Sequence, residues 1–362
     1  MRLAFVSPMP PSRSGVADYA AGLVGALRRR AAVEVTESPG GGCDNVLYQL
    51  GNNHLHWPAY RAALERPGVA VLHDAVLNHL LLGSLDESAY VEEFVYHYGE
   101  WLRDLGRQLW RSRSRSGADP RYFEYTMLRR VVERSRAVVV HNPGARRRAL
   151  QASPAARVVE VPHYFTPPRP DPDPGETRRR LGLGGREILV ATFGYLRESK
   201  RIGSVLKAMQ AVPGARFLLA GQFVSQDLER ALHPQLRAGG VIRFGHRPEP
   251  DFWRLAAAAD ICVNLRWPSA GETSGIGIKL MGIGKPVLVT AGEETTGFPE
   301  LSVIPIDPGE AEVDMLAHYL RLLAADEDLR REIGRRAADH IAAHHSLEQA
   351  ASLYLEAARA ST

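Results

Sequence analysis

The sequence predicts an α/β protein built as two doubly wound parallel-sheet domains, and three observations predict it. Its 362 residues exceed what one hydrophobic core holds, since single cores stop growing near about 250–300 residues. Short, β-branched apolar runs recur along the chain and alternate with stretches whose apolar positions repeat at helical spacing. Several of those runs end in polar residues, and the carboxyl ends of strands are where open α/β sheets keep their sites. Composition agrees with a soluble globular class: 45% hydrophobic, 24% charged, with an isoelectric point near 9.1. No run of about 18 apolar residues is present, which argues against a membrane-spanning helix. Cys43 and Cys262 are too few for a disulfide framework and too far apart for a metal pair, so a reducing cytoplasm is the expected compartment.

The opening MRLAFVSPMPP has an apolar run too short for a signal peptide and reads as the first strand. A helix follows, with Val16, Tyr19, Ala20, Leu23 and Leu27 on one face and Ser14 or Gly15 at its start. Strand, glycine turn and helix make a phosphate-binding geometry, although most such turns bind nothing. Residues 46–53 and 69–74 read as two further buried strands. The second ends in His73-Asp74, which fits either a capping pair or a site. Asn52, Asn53, His54 and His56 form a polar cluster, and alternating histidines on a loop point to hydrogen bonding and not to a metal.

From Tyr90 to Arg148 the pattern is mostly helical and strongly basic. Between Arg103 and Arg148 thirteen arginines face four acids, interleaved with Trp101, Leu102, Leu105, Leu109 and Trp110. Such a mixture fits contact with an anionic membrane or a lipid-linked acceptor, and equally a solvated arginine-rich face. Nucleic acid is disfavoured, because no recognition module is visible and the basicity is confined to one region. AVVVHN and RVVEVPHYF read as the last strands of the first domain, and TPPRPDPDPGE as a stiff linker whose prolines continue neither sheet nor helix.

The second domain opens on ILVATFG, then Gly194, then Lys200-Arg201 ahead of a helix. Two cations there suit a pyrophosphate, or are surface charge near a turn. FLLAG, VIRFGHR and ADICVNL continue the alternation. The stretch Asn264 to Thr290, NLRWPSAGETSGIGIKLMGIGKPVLVT, reads as a strand end, a glycine-rich loop, a short helix and a second strand. A loop of this kind gathers backbone N–H groups at a helix N-terminus, where the dipole favours negative charge. Arg266 suits that place. Glu272 does not, unless its carboxylate binds something other than phosphate, and sugar hydroxyls are the obvious choice; an ordinary loop with a solvated Glu is the competing reading.

This stretch resembles the donor motif of retaining glycosyltransferases of family 4, which have the GT-B fold of two Rossmann-like domains facing a central cleft. Glu272 matches the first acid of that motif and GKPV its end, whereas Lys279 stands where a second Glu is expected and the loop is one residue shorter. The resemblance implies that Glu272 contacts donor-sugar hydroxyls, that His73 and Asp74 lie against the donor sugar, and that Gly15 lies in a loop facing the donor phosphates. It places Lys200 on the diphosphate, with Arg197 or Arg266 supplying a second charge, and Thr273, Ser274, Gly275, Ile276 and Lys279 on the donor. The base is expected near Gly245-His246. Domain limits follow: 1–165 as acceptor-side domain, 166–185 as linker, 186–345 as nucleotide-sugar domain, and a C-terminal helix, 346–362, packing back on the first domain.

The expected activity is transfer of a hexose-type sugar from a nucleotide diphosphate donor to a glycan or lipid-linked acceptor, as in polysaccharide biosynthesis. Catalysis would rest on His73, Glu272, Lys200 and Arg266, with no cofactor and no metal, since the cations already neutralise the diphosphate. A sugar-nucleotide epimerase or phosphorylase of the same fold, or a non-catalytic sugar-nucleotide binder, are the alternatives. A peripheral position at the inner membrane face through Arg103–Arg148 completes the expectation.

Overall fold

The computed structural model describes residues 1–12, 14–169, 172–237 and 239–360. Arg13 of the first glycine turn, Pro170 and Asp171 of the linker, and the last two residues of the C-terminal segment lie outside them. The described chain divides into two compact units, each an α/β sandwich around a six-stranded sheet. Among the described residues no helix is long and apolar enough to cross a membrane.

The first unit comprises Met1–Tyr164, Pro268–Thr273 and His345–Thr362. Its strands are β1 (Arg2–Val6), β2 (Ala32–Val35), β3 (Asn45–Leu50), β4 (Val69–Leu72), β5 (Ala137–Val140) and β6 (Val158–Glu160), ordered β2-β1-β3-β4-β5-β6 with every pairing parallel. Parallel neighbours require helical crossovers on both faces, so β3, β4 and β5 are buried throughout. That is why they read as continuous apolar runs. The edge strand β2 alternates between exposed and half-buried residues and gives no such run.

The second unit comprises Phe165–Trp267 and Ser274–His344. Its strands are β7 (Leu189–Phe193), β8 (Arg216–Ala220), β9 (Val241–Phe244), β10 (Ile261–Asn264), β11 (Val287–Thr290) and β12 (Ile304–Ile306), ordered β12-β11-β10-β7-β8-β9, again all parallel. The strand order reverses between β7 and β10, leaving a crevice outside their carboxyl ends. Part of the expected linker is helical instead: Pro174–Arg180 form a helix because Asp173 caps it, accepting from the Gly175 and Glu176 amides, with Pro174 in the first turn.

The C-terminal helix Leu347–Arg359 lies on the first sheet's face beside the helix Gly15–Arg28. Asn45 donates to the Ala358 carbonyl at 2.7 Å, His345 pairs with the His163 carbonyl at 2.6 Å, and the Tyr19 and Tyr354 hydroxyls meet at 3.0 Å. Tyr354 is fully buried, with Ala350, Ala351, Ala357 and Ala358 packed around the same face. Replacing Tyr354 with Ala should cost about 3–5 kcal/mol through the cavity it leaves. Tyr354→Phe removes only a hydroxyl and leaves that of Tyr19 buried without this partner, a loss of about 1–3 kcal/mol. Urea unfolding followed on the first unit checks both; a Tyr354→Ala protein within 1 kcal/mol of the parent would show that the helix does not seal this core.

Candidate functional site

In the second unit the site residues gather at the sheet's reversal point. β7 is followed by Gly194, whose φ of 97° lies in the left-handed region, and its Cα faces Ile276 so closely that a Cβ would meet the Ile276 side chain at 2.5 Å. A Cβ on Gly221, at the end of β8, would collide with the Gly194 carbonyl. These two glycines let the loops after β7 and β8 close on each other. The turn after Gly194 delivers Lys200, only 5% exposed, with Nζ donating to Asn264 Oδ1 at 2.9 Å. Asn264 is the last residue of β10 and is itself buried. A buried ammonium needs oxygen partners, and the asparagine supplies one.

Two residues further on, Arg266 donates from its guanidinium to Ser274 Oγ at 3.1 Å, while its amide bonds Thr290 Oγ1 at 2.9 Å. Ser274 caps the helix Gly275–Gly282, its hydroxyl accepting from the Gly277 amide at 3.1 Å. Gly277 lets the helix start close to Asn264, since a Cβ would meet the Asn264 side-chain nitrogen at 2.9 Å. Lys200, Asn264, Arg266 and Ser274 therefore form one linked group at a helix N-terminus: a cationic, donor-rich place suited to an anion.

The other expected residues of this unit stand apart from that group in their contacts. Arg201, which shares the Lys200 turn, has φ 55° and forms a two-pronged ion pair with the buried Glu312 at 2.9 and 3.1 Å, so its charge is internally used. Arg197 is exposed beside the Tyr195 ring, and Gly245 and His246 are exposed after β9. Lys279, where the resembled motif has an acid, draws the Glu249 carboxylate to 2.6 Å and lies over the Phe252 and Trp253 rings. A carboxylate is thus present beside that position after all, brought by the helix Glu249–Ala258.

In the first unit, β3, β4 and β5 end in polar side chains that pack together. His73 follows β4; its Nε2 meets Gln49 Oε1 at 2.7 Å, and its ring lies 4.9 Å from that of His141 and 5.0 Å from Tyr19. Asp74 accepts from the Asn52 amide at 2.6 Å. Asn52 in turn caps the segment Asn78–Leu82 by accepting from the His79 and Leu80 amides, and Asn53 accepts from Leu55. His56 bonds the Gln49 carbonyl through Nδ1. This polar cluster thereby serves the backbone. Gly15 is exposed at the start of its helix, which Ser14 caps by accepting from the Ala17 amide.

Glu272 belongs to a loop that the first unit holds. Gly271, with φ 74°, presses against Ala75, the residue after Asp74, where a Cβ would approach the alanine methyl to 2.9 Å. Asn142 donates to the Gly271 carbonyl and to Thr273 Oγ1, and that hydroxyl donates to the His141 carbonyl. The Glu272 carboxylate accepts from the Ala270 amide at 2.9 Å. Asn142, His141, Gln49 and Asn264 were not singled out from the sequence. Their signal is the same polar ending of a buried strand that singles out His73.

The basic segment is more compensated than its composition implies. Arg103 pairs with Glu92 and Glu100, Arg107 with Asp104, Arg111 with Glu87, Arg121 with Asp119, Arg129 with Glu133 and Arg130 with Glu93. Three of those acids lie just upstream of the segment, on the helix Glu87–Tyr98. Arg113 stacks 4.2 Å over Trp110, and Leu109 is buried, whereas Trp101 is 82% exposed.

Burial favours the neutral form of four histidines of the first unit, His56, His73, His97 and His141. His56 and His141 are lowered to about 4, each by burial and only partly offset by the carbonyl it bonds, and His73 is lowered by burial and by His141, His56 and His163. His97, buried beside Glu93, moves the same way. Between about 4 and the ordinary 6.5 the unfolded chain binds more protons than the folded one, so stability falls as pH drops through that window. Each such histidine removes up to about 1.4 kcal/mol per pH unit. Urea midpoints should therefore decline from pH 6.5 to 5, above the carboxylate range, and His141→Gln should flatten the slope; a flat profile in the parent protein would contradict the neutral assignment.

Residues 197–356 match a family model described as glycosyl transferase-like. No curated protein matches the chain. Among solved structures, Anabaena HepE, determined with UDP and glucose, aligns with a TM-score of 0.71 at 17% identity over 98% of both chains. The sucrose-phosphate synthase of Thermosynechococcus elongatus aligns at 0.70 and 16% identity, over 99% of this chain and 98% of its own. WaaG, a glycosyltransferase involved in lipopolysaccharide biosynthesis, aligns at 0.65 and 17% identity, over 97% and 98%. These likenesses and the two parallel six-stranded sheets give the chain the GT-B fold.

Proposed function

We propose that the protein is a retaining glycosyltransferase that moves a hexose-type sugar from a nucleoside diphosphate donor, with a uridine diphosphate sugar as the first choice. The observation that carries this reading is the Lys200–Asn264–Arg266–Ser274 group at the N-terminus of the helix Gly275–Gly282. The glycosyl transferase-like match over residues 197–356 includes all of it, and HepE is a UDP-bound protein of the same fold.

In this reading Lys200 and Arg266, with the Gly275 and Ile276 amides, stabilise the negative charge that develops on the departing diphosphate. Glu272 and His73 bind donor-sugar hydroxyls. The anomeric carbon–oxygen bond to the diphosphate breaks, the acceptor hydroxyl oxygen bonds to the same face of that carbon, and the hydroxyl proton passes to the departing diphosphate. The cations carry the charge compensation, so the reading calls for no metal and no cofactor. The acceptor is a glycan or a lipid-linked saccharide.

Glu272→Gln should abolish transfer while the protein keeps its melting temperature. Lys200→Ala and Arg266→Ala should each weaken UDP binding, since each removes a charge-assisted contact of roughly 1.5–3 kcal/mol. Titration calorimetry with UDP and a transfer assay over a panel of nucleotide sugars check these points. Unchanged UDP affinity in both cation variants would displace the site, and conversion of the donor with free sugar or orthophosphate alone would favour an epimerase or a phosphorylase.

We further propose an anionic membrane surface as a partner of the first unit, favoured by the exposure of Trp101, Arg113 and Arg115. Because the neighbouring arginines are ion-paired, the attraction is modest and fades within a Debye length as salt rises. Binding to liposomes with acidic lipid, salt-sensitive and reduced in Trp101→Ala and in Arg113→Ser/Arg115→Ser proteins, is the expected result. Equal sedimentation with neutral liposomes, or none with either, would leave a soluble acceptor as the reading.

A further inference from the structure

We infer that Asn142 is a positioning residue for Glu272, anchoring the loop 268–273 on both sides of that carboxylate. The inference rests on the role proposed above for Glu272, and its geometry lies wholly within the first unit. Asn142 is 4% exposed and stands where β5 gives way to the helix Pro143–Ala152. Its side chain has two tasks. Oδ1 caps the helix, accepting from the Ala145 amide at 2.7 Å; Nδ2 donates to the Gly271 carbonyl at 3.1 Å and to Thr273 Oγ1 at 2.9 Å.

The partners fix the orientation of the amide. A backbone N–H demands the oxygen and a backbone carbonyl demands the nitrogen, so a flipped amide would lose both bonds. The Thr273 hydroxyl is settled in the same way: it donates to the His141 carbonyl at 3.2 Å and therefore accepts from Asn142. Gly271 adds a steric stop against Ala75. Residues 271 and 273 are thus each tied to the chain around the end of β5, and Glu272 is the residue between them. Its own carboxylate is folded back onto the Ala270 amide at 2.9 Å. A loop without regular structure would otherwise sample many backbone states. Here one buried amide holds two of its residues, and displacement of a reacting contact by about 1 Å can cost on the order of a hundredfold in rate.

Asn142→Asp separates the two tasks: the carboxylate keeps the acceptor that caps the helix and lacks the donor that holds the loop. We expect faster amide hydrogen exchange in residues 269–274 with unchanged protection in 143–152, and kcat lowered at least about tenfold with little change in UDP affinity. Asn142→Ser, whose short hydroxyl still caps, serves as the second variant should the carboxylate disturb folding. Parental exchange in the loop in both variants would overturn the anchor. Parental kcat with a loosened loop, while Glu272→Gln is inactive, would overturn the positioning role. An active Glu272→Gln protein would instead remove the reading of Glu272, leaving the exchange result to decide the anchor by itself.

Discussion

Every strand in both sheets is parallel, and most of this structure's chemistry follows from that constraint. A parallel neighbour is reached only by a crossover, so helices cover both faces and the strand interiors are left without water. Polar side chains are then excluded from the strand bodies and concentrate at the carboxyl ends, where chain direction changes. Gln49, His73, His141 and Asn142 collect at the ends of β3, β4 and β5, and Asn264 at the end of β10. Each is buried and linked to a neighbour, because an unlinked polar group in that place is costly.

Charge is treated differently at the two sets of strand ends. The first unit gathers imidazoles whose burial keeps them neutral, a set of hydrogen-bonding groups suited to hydroxyls. The second unit buries a lysine against an amide oxygen and lets an arginine rest on a serine that caps a helix. Lys200 and Arg266 thus each meet a neutral oxygen, whereas Arg201 faces the Glu312 carboxylate. Two adjacent cations, Lys200 and Arg201, differ in this way in what faces them. On the surface, at least six of the thirteen arginines between 103 and 148 pair with acids close in sequence or on the preceding helix.

Much of this was legible in the sequence. The buried strands announce themselves as apolar runs, and the glycines at 194, 271 and 277 mark close approaches that any side chain would block. Glu272, Lys200 and Arg266 stand out in the sequence as charged residues in turns after buried strands, and their contacts with Ala270, Asn264 and Ser274 appear only in three dimensions. The edge strands β2 and β12 were missed, since β2 interrupts its apolar residues with Glu34 and β12 is three residues long with Pro305 at its centre. The helix Pro174–Arg180 was hidden by the surrounding prolines, although Asp173 followed by Pro174 is itself a helix start.

By itself the sequence determined the class of fold, the alternation of elements and the residue types available at each strand end, because burial on both faces of a parallel sheet imposes a local pattern. Tertiary structure alone decided which of those residues meet. Hydrogen bonds between residues far apart in the chain, Lys200 with Asn264 or Asn142 with Gly271 and Thr273, leave no periodicity behind. Nor can composition tell a free arginine from one whose acid lies on another helix, as for Arg111 with Glu87. Pairing depends on distance in space, and local sequence pattern records distance only along the chain.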